Sequence, residues 1–80
     1  MTALASGEIY PGIVVDQEIL AGTPVIAGTR VPVEIILGSL AAGDTAEALQ
    51  RSYDLTEENI RAALGYAASV IASEKVYVFA

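Results

Sequence analysis

Two periodicities divide this chain. Up to about residue 33 the apolar residues come in short β-branched runs broken by turn-forming residues, and beyond it they recur at helical spacing. Ile13-Val14-Val15 follows Pro11-Gly12 and precedes Asp16, which reads as a short strand with turn chemistry at both ends. Asp16 to Ala21 fits one helical turn or a loop, and Gly22-Thr23-Pro24 punctuates it before a second β-branched run, Val25-Ile26. Gly28 breaks that run and Val31-Pro32-Val33 resumes it. The pattern predicts a β-hairpin over about residues 13–32 that turns tightly through Ala27-Gly28-Thr29, with Gly28 at a backbone angle costly for other residues.

After Pro32, the residues Val33, Ile36, Leu37 and Leu40 fall at intervals of three, four and seven, one buried face of a helix over about 33–42 that Gly43 stops. A second helix, about 45–53, buries Ala46, Leu49 and Tyr53. With Asp44 as its cap, Glu47 completes a capping box; with Thr45 as cap, Glu47 sits in the positive first turn. Leu55-Thr56-Glu57-Glu58 is the clearest helix start, Thr56 capping and Leu55 stapling onto Ile60. The third helix spans about 56–73, with a packing face of Ile60, Leu64, Ala67 and Ile71, widened by Ala63, Ala68 and Val70, and with Tyr66 at the core edge. Gly65 costs about 1 kcal/mol relative to alanine in a helix, so it marks close packing or an uncompensated weakness. Val76-Tyr77-Val78-Phe79 predicts a terminal strand or an association segment, and residues 1–8 a flexible tail before a single domain over 9–80. The fold class is mainly α: a helix-turn-helix-like three-helix bundle preceded by a short β-hairpin.

Composition narrows the chemistry. Eighty residues make one small domain whose stability leans on packing or association. Cysteine and histidine are both absent, which removes disulfides, thiolate and imidazole metal sites and every histidine-dependent triad. The carboxylates Asp44, Glu47, Asp54, Glu57 and Glu58 are accounted for by their places at helix starts. No catalytic residue, cofactor or metal site is expected. A net charge of -6, ten acids against four bases, argues against free-standing nucleic-acid binding. With no leader pattern and no apolar run of membrane-spanning length, a cytoplasmic protein is expected.

Gly22-Thr23-Pro24-Val25-Ile26-Ala27-Gly28-Thr29-Arg30-Val31-Pro32-Val33, with Ala42-Gly43, Leu55-Thr56 and Ile60-Arg61-Ala62-Ala63-Leu64-Gly65-Tyr66-Ala67 in order behind it, resembles a bacterial family known as domain of unknown function 433, from about Ile13 to Ser73. The resemblance implies a homeodomain-like three-helix module behind a β-hairpin. It also implies kinship with VapB-like antitoxins, some of which occur beside PIN-like ribonucleases. Gly28, Thr29 and Arg30 match the family's Gly-Thr-Arg signature, Pro32 and Val33 its entrance to the first helix, and Tyr66 the tyrosine of its last helix. Two departures stand out: Thr23 where the family often carries a basic residue, and Ser52-Tyr53 where it often carries Tyr-Pro.

Arg30 is the residue that demands a role. Its five fixed donors suit a structural clamp onto Asp16, Glu34 or helix-end carbonyls, or a projecting anchor for a partner or a DNA phosphate. Both hold if Gly28, Thr29, Arg30 and Pro32 form a dimer or partner contact. Three functions follow as expectations. The first is a homodimeric antitoxin-like or adaptor protein that restrains a PIN-like nuclease. The second is a helix-turn-helix DNA-binding regulator, with Arg30, Arg51 and Arg61 on phosphates and Asn59 reading adenine. The third is a small scaffold.

Overall fold

The β-branched runs do form a sheet, with one strand more than their pattern predicts. The computed structural model describes residues 6–74. Strand β1 (Ser6–Tyr10) and β2 (Ile13–Asp16) make an antiparallel hairpin over Pro11-Gly12, and β2 pairs antiparallel with β3 (Val25–Ile26), in the order β1-β2-β3. The ladder shifts register between Glu8 and Tyr10, and the Glu8 carboxylate accepts the Gly12 N–H at 2.9 Å across the turn. Residues 6–8, expected in a flexible tail, therefore belong to the sheet. Ser6-Gly7-Glu8 has little strand propensity of its own; it is held by pairing Gly7 with Val15 and Glu8 with Val14. The expected strand over 76–79 lies outside the described residues.

Between β2 and β3 the chain makes an Asx turn, Glu18 N–H to Asp16 Oδ1 at 2.9 Å, then a 3-10 turn at Leu20–Gly22. Leu20 (φ 50°) and Ala21 (φ 56°) are left-handed, a conformation that costs a residue with a Cβ about 1–2 kcal/mol. The predicted tight hairpin beyond β3 is present as a single bridge, Val25 with Pro32.

The helices are α1 (Val33–Ala41), α2 (Ala46–Tyr53) and α3 (Glu57–Glu74). The first N–H of α1 donates to the Pro24 carbonyl at 3.0 Å, which ties the helix to the segment before β3. Its end is a Schellman motif, Gly43 N–H to Leu40 and Asp44 N–H to Ser39, both at 3.0 Å. Thr45, not Asp44, caps α2 by accepting the Ala48 N–H at 3.0 Å. Thr56 and Asn59 cap α3 reciprocally: the Asn59 N–H reaches Thr56 Oγ1 at 3.1 Å and the Thr56 N–H reaches Asn59 Oδ1 at 2.9 Å.

Ile13, Ile26 and Ile36 are fully buried and, with Val33, Leu49, Leu55, Ile60 and Ala63, form the core where sheet and helices meet. Burial of Leu55 and Ile60 in that one cluster fits the predicted staple across the start of α3. Several residues expected to pack are exposed instead: Tyr53 of α2, and Leu64 (47%), Ala68, Val70 and Ile71 (66%) of α3, whose last two turns run beyond the core. The buried arc of α3 runs from Ile60 through Ala63 toward Tyr66, and Leu64 lies about 100° round the helix from Ala63, outside it.

The hairpin end of the sheet sits on α3 through small residues. A Cβ at Gly12 would stand 3.1 Å from the Ala62 methyl. A Cβ at Gly65 would overlap Tyr10, lying 3.1 Å from its Cζ and in still closer conflict with its hydroxyl. Tyr10 meets Tyr66 edge-on, ring centroids 6.1 Å apart. Gly65 is thus a close-packing glycine. Gly65→Ala is expected to lower stability by about 1–2 kcal/mol in urea unfolding, despite alanine's helix propensity, and to be neutral or stabilising in a Tyr10→Ala background. Ala21→Gly, relieving the left-handed turn, is expected to raise stability by about 0.5–1 kcal/mol in the same measurement.

Candidate functional site

The Gly28-Thr29-Arg30 turn is a built feature. The Thr29 N–H donates to the Ile26 carbonyl at 3.0 Å, and Gly28 stands between them at φ 78°, the second central position of a type II turn. The Thr29 hydroxyl donates to the Ile26 carbonyl at 2.8 Å and accepts the Val31 N–H at 3.0 Å. A further bond, Ile26 N–H to the Val31 carbonyl at 3.0 Å, closes the base. Thr29 is half-buried, and Pro32, also half-buried, hands the chain directly to α1.

Arg30 follows this brace and is exposed. Neither proposed acceptor holds it: among the described residues it makes no ion pair or side-chain hydrogen bond. Asp16 spends a carboxylate oxygen on the Glu18 N–H. The internal clamp is therefore corrected to a cation presented to solvent by a rigid turn.

The other candidates for nucleic-acid contact differ. Arg61 lies on the exposed side of α3, paired with Glu57 at 3.3 Å across one turn. Both side chains are largely in water, so the pair is worth no more than about 0.5 kcal/mol, but it offsets the charge a phosphate would need. Asn59 is half-buried and its Oδ1 is committed to the Thr56 cap, so it is not free to present both amide atoms to adenine. Arg51 is exposed in the last turn of α2, where it complements the helix dipole. Among the described residues no three acids cluster to hold a metal, and no helix is long and apolar enough to cross a membrane.

Beside the turn's base lies a feature the sequence reading did not single out: an apolar trough of about 330 Å³. It is bounded by Thr23 and Pro24, by Val33, Glu34 and Leu37 of α1, and by Tyr66, Ala67, Val70 and Ile71 of α3. The excess of apolar residues in the second half of α3, beyond what the core can take, was its sequence signal.

The family model described as "Protein of unknown function (DUF433)" matches residues 13–67, from β2 through Ala67 of α3. The chain belongs to this family. The matched span holds both the braced Gly-Thr-Arg turn and the small-residue face of α3, so the family's shared sequence encloses the joint between sheet and helices. The "Uncharacterized protein y4eO" of Sinorhizobium fredii (strain NBRC 101917 / NGR234) is 47% identical over 51 residues, which is 62% of this chain and 23% of that protein. The crystal structure of Rv2018 from Mycobacterium tuberculosis superposes with a TM-score of 0.60 at 38% identity, over 65% of this chain and 24% of that one. The chain thus spans under a quarter of the length of these two relatives.

The brace and the cation are separable. Thr29→Val is expected to cost about 1–2 kcal/mol by leaving turn groups unpaired, whereas Arg30→Ala is expected to change stability by less than about 0.5 kcal/mol, both read from thermal or urea unfolding.

Proposed function

We propose that this chain is a non-enzymatic, antitoxin-like binding protein, and that its principal ligand is another protein, a PIN-like nuclease that it restrains. The observation that carries the reading is Arg30: an exposed guanidinium without a partner among the described residues, held out by a turn whose backbone is already satisfied. A planar five-donor cation is suited to a carboxylate on a partner surface, and because the turn's backbone is already ordered only the side chain's own rotamers are left to be fixed on docking. The nuclease as the partner's class comes from the resemblance to VapB-like antitoxins.

Protein is favoured over nucleic acid as the ligand by charge. The first turn of α3, where a recognition helix would meet base edges, carries Glu57 and Glu58, and Asn59 is occupied by its cap. DNA binding through α2, the turn at residues 54–56 and α3 is the second reading, favoured by that helix-turn-helix layout alone. It would depend on Arg51 and Arg61 in a chain of net charge -6.

The direct test is co-expression with the product of the neighbouring gene where that gene encodes a PIN-like nuclease. The nuclease is expected to co-purify and to lose ribonuclease activity, and Arg30→Glu to weaken the complex at least about tenfold without unfolding the chain. A nuclease that neither binds nor loses activity overturns the proposal. For the second reading, a mobility shift on the chain's own upstream DNA at several salt concentrations is expected to show no retardation by the free protein; a salt-dependent shift abolished by Arg61→Ala would reverse the preference.

A further inference from the structure

Helix α3 outruns the core, and part of what it carries past the core is apolar. Every residue from Ala68 to Glu74 is exposed, about two turns of helix. Val70 and Ile71 of this end line the trough on one side, Val33 and Leu37 of α1 line it as well, and Glu34 is its one charged lining residue. The chain runs on from Glu74 as Lys75-Val76-Tyr77-Val78-Phe79-Ala80, outside the described residues. Lys75 follows Ile71 by about one helical turn, so this apolar stretch starts next to the trough.

We propose that residues 75–80 turn back at the end of α3 and lie along the trough as an intramolecular strap, with Tyr77 and Phe79 seated against Val33, Leu37 and Ile71. Val76-Tyr77-Val78-Phe79 is β-branched and aromatic throughout, a poor continuation of a helix and a good extended segment. Extended residues alternate their side chains, so Tyr77 and Phe79 share one side and Val76 and Val78 the other. The aromatic pair has the larger apolar area to bury. Reach agrees: four extended residues cover about 13 Å, and α3 from Glu74 back to Tyr66, the far end of the trough's α3 wall, rises about 12 Å.

The tether selects this occupant over a separate molecule. A segment joined directly to the wall it covers meets that wall at an effective concentration on the order of millimolar, which a second copy or a foreign helix would have to match in free solution. Charge agrees with it. The strap's one charged side chain is Lys75, and the acids at this place are Glu34 in the trough and Glu74 at the helix end, where the carbonyls of α3 add further negative potential. The strap is independent of the nuclease reading, whose contact is the Arg30 turn. Any partner that uses the trough must first displace the strap.

Phe79 is the sole phenylalanine, so its ring can be labelled selectively and followed by NMR in the full chain. Nuclear Overhauser contacts are expected from that ring to the methyls of Val33, Leu37 and Ile71, unchanged between about 50 μM and about 1 mM and absent between chains in a mixture of labelled and unlabelled protein. Deleting residues 75–80 is expected to speed amide exchange of Val70–Glu74 at least about tenfold, with exchange at the buried Ile36 and Leu49 changed less than about twofold. Phe79→Ser, which leaves the helix end where it is, is expected to act in the same direction. A ring without contacts to the trough methyls overturns the proposal. So does faster exchange in the deletion alone with Phe79→Ser inert, which reports fraying of a shortened helix. Contacts seen only between chains overturn it in favour of a second copy.

Discussion

Everything in this fold depends on how closely α3 can approach the sheet. Ala62, Ala63 and Gly65 keep the facing side of the helix nearly bare, so that the β1–β2 hairpin end can rest against it, with Gly12 over Ala62 and the Tyr10 ring over Gly65. Larger side chains at those places would lift the helix away and open the space now filled by Ile13, Ile26, Ile36 and Ile60. Aliphatic cores of this size tolerate little loss, because an 80-residue domain has few other sources of stability. Two weak elements are made firm by the contact: a helix with a central glycine and a first strand with poor propensity.

The same economy governs the polar groups. Thr29, Thr45, Thr56, Asn59, Asp16 and Glu8 each satisfy backbone donors at a turn or helix start, leaving few side chains free for recognition. Arg30 stands apart because its neighbour does the structural work. The Thr29 hydroxyl closes the turn on both sides, so the guanidinium carries no load and remains available. The turn beneath the cation is pre-organised, and removal of the side chain leaves the backbone bonds intact.

Membership of the family places this unit in a wider setting. About two thirds of this chain aligns with under a quarter of each of two relatives, so a similar segment occurs within much longer chains. A module reused in that way needs an autonomous core and surfaces separate from it. Here the core lies between sheet and helices, the Arg30 turn lies outside it, and the trough against the end of α3 opens from its edge at Val33, Leu37 and Tyr66.

The local elements were legible in the chain because their causes are local. Thr56 with its neighbours announces α3, Gly43 closes α1 in a Schellman motif, and the Ala27-Gly28-Thr29 turn follows from a glycine and a hydroxyl at the right places. Periodicity likewise located Val33, Ile36, Leu49 and Ile60 in the core. The failures concern contacts between distant residues. Ser6–Glu8 becomes a strand through pairing with β2, Gly65 is explained by a ring some fifty residues earlier in the chain, at Tyr10, and Leu64 faces water because the packed arc of α3 is centred elsewhere. Arg30 illustrates the division most sharply. Residue order shows that a guanidinium follows a tight turn, but whether an acid pairs with it is set by the tertiary structure, in which neither Asp16 nor Glu34 does.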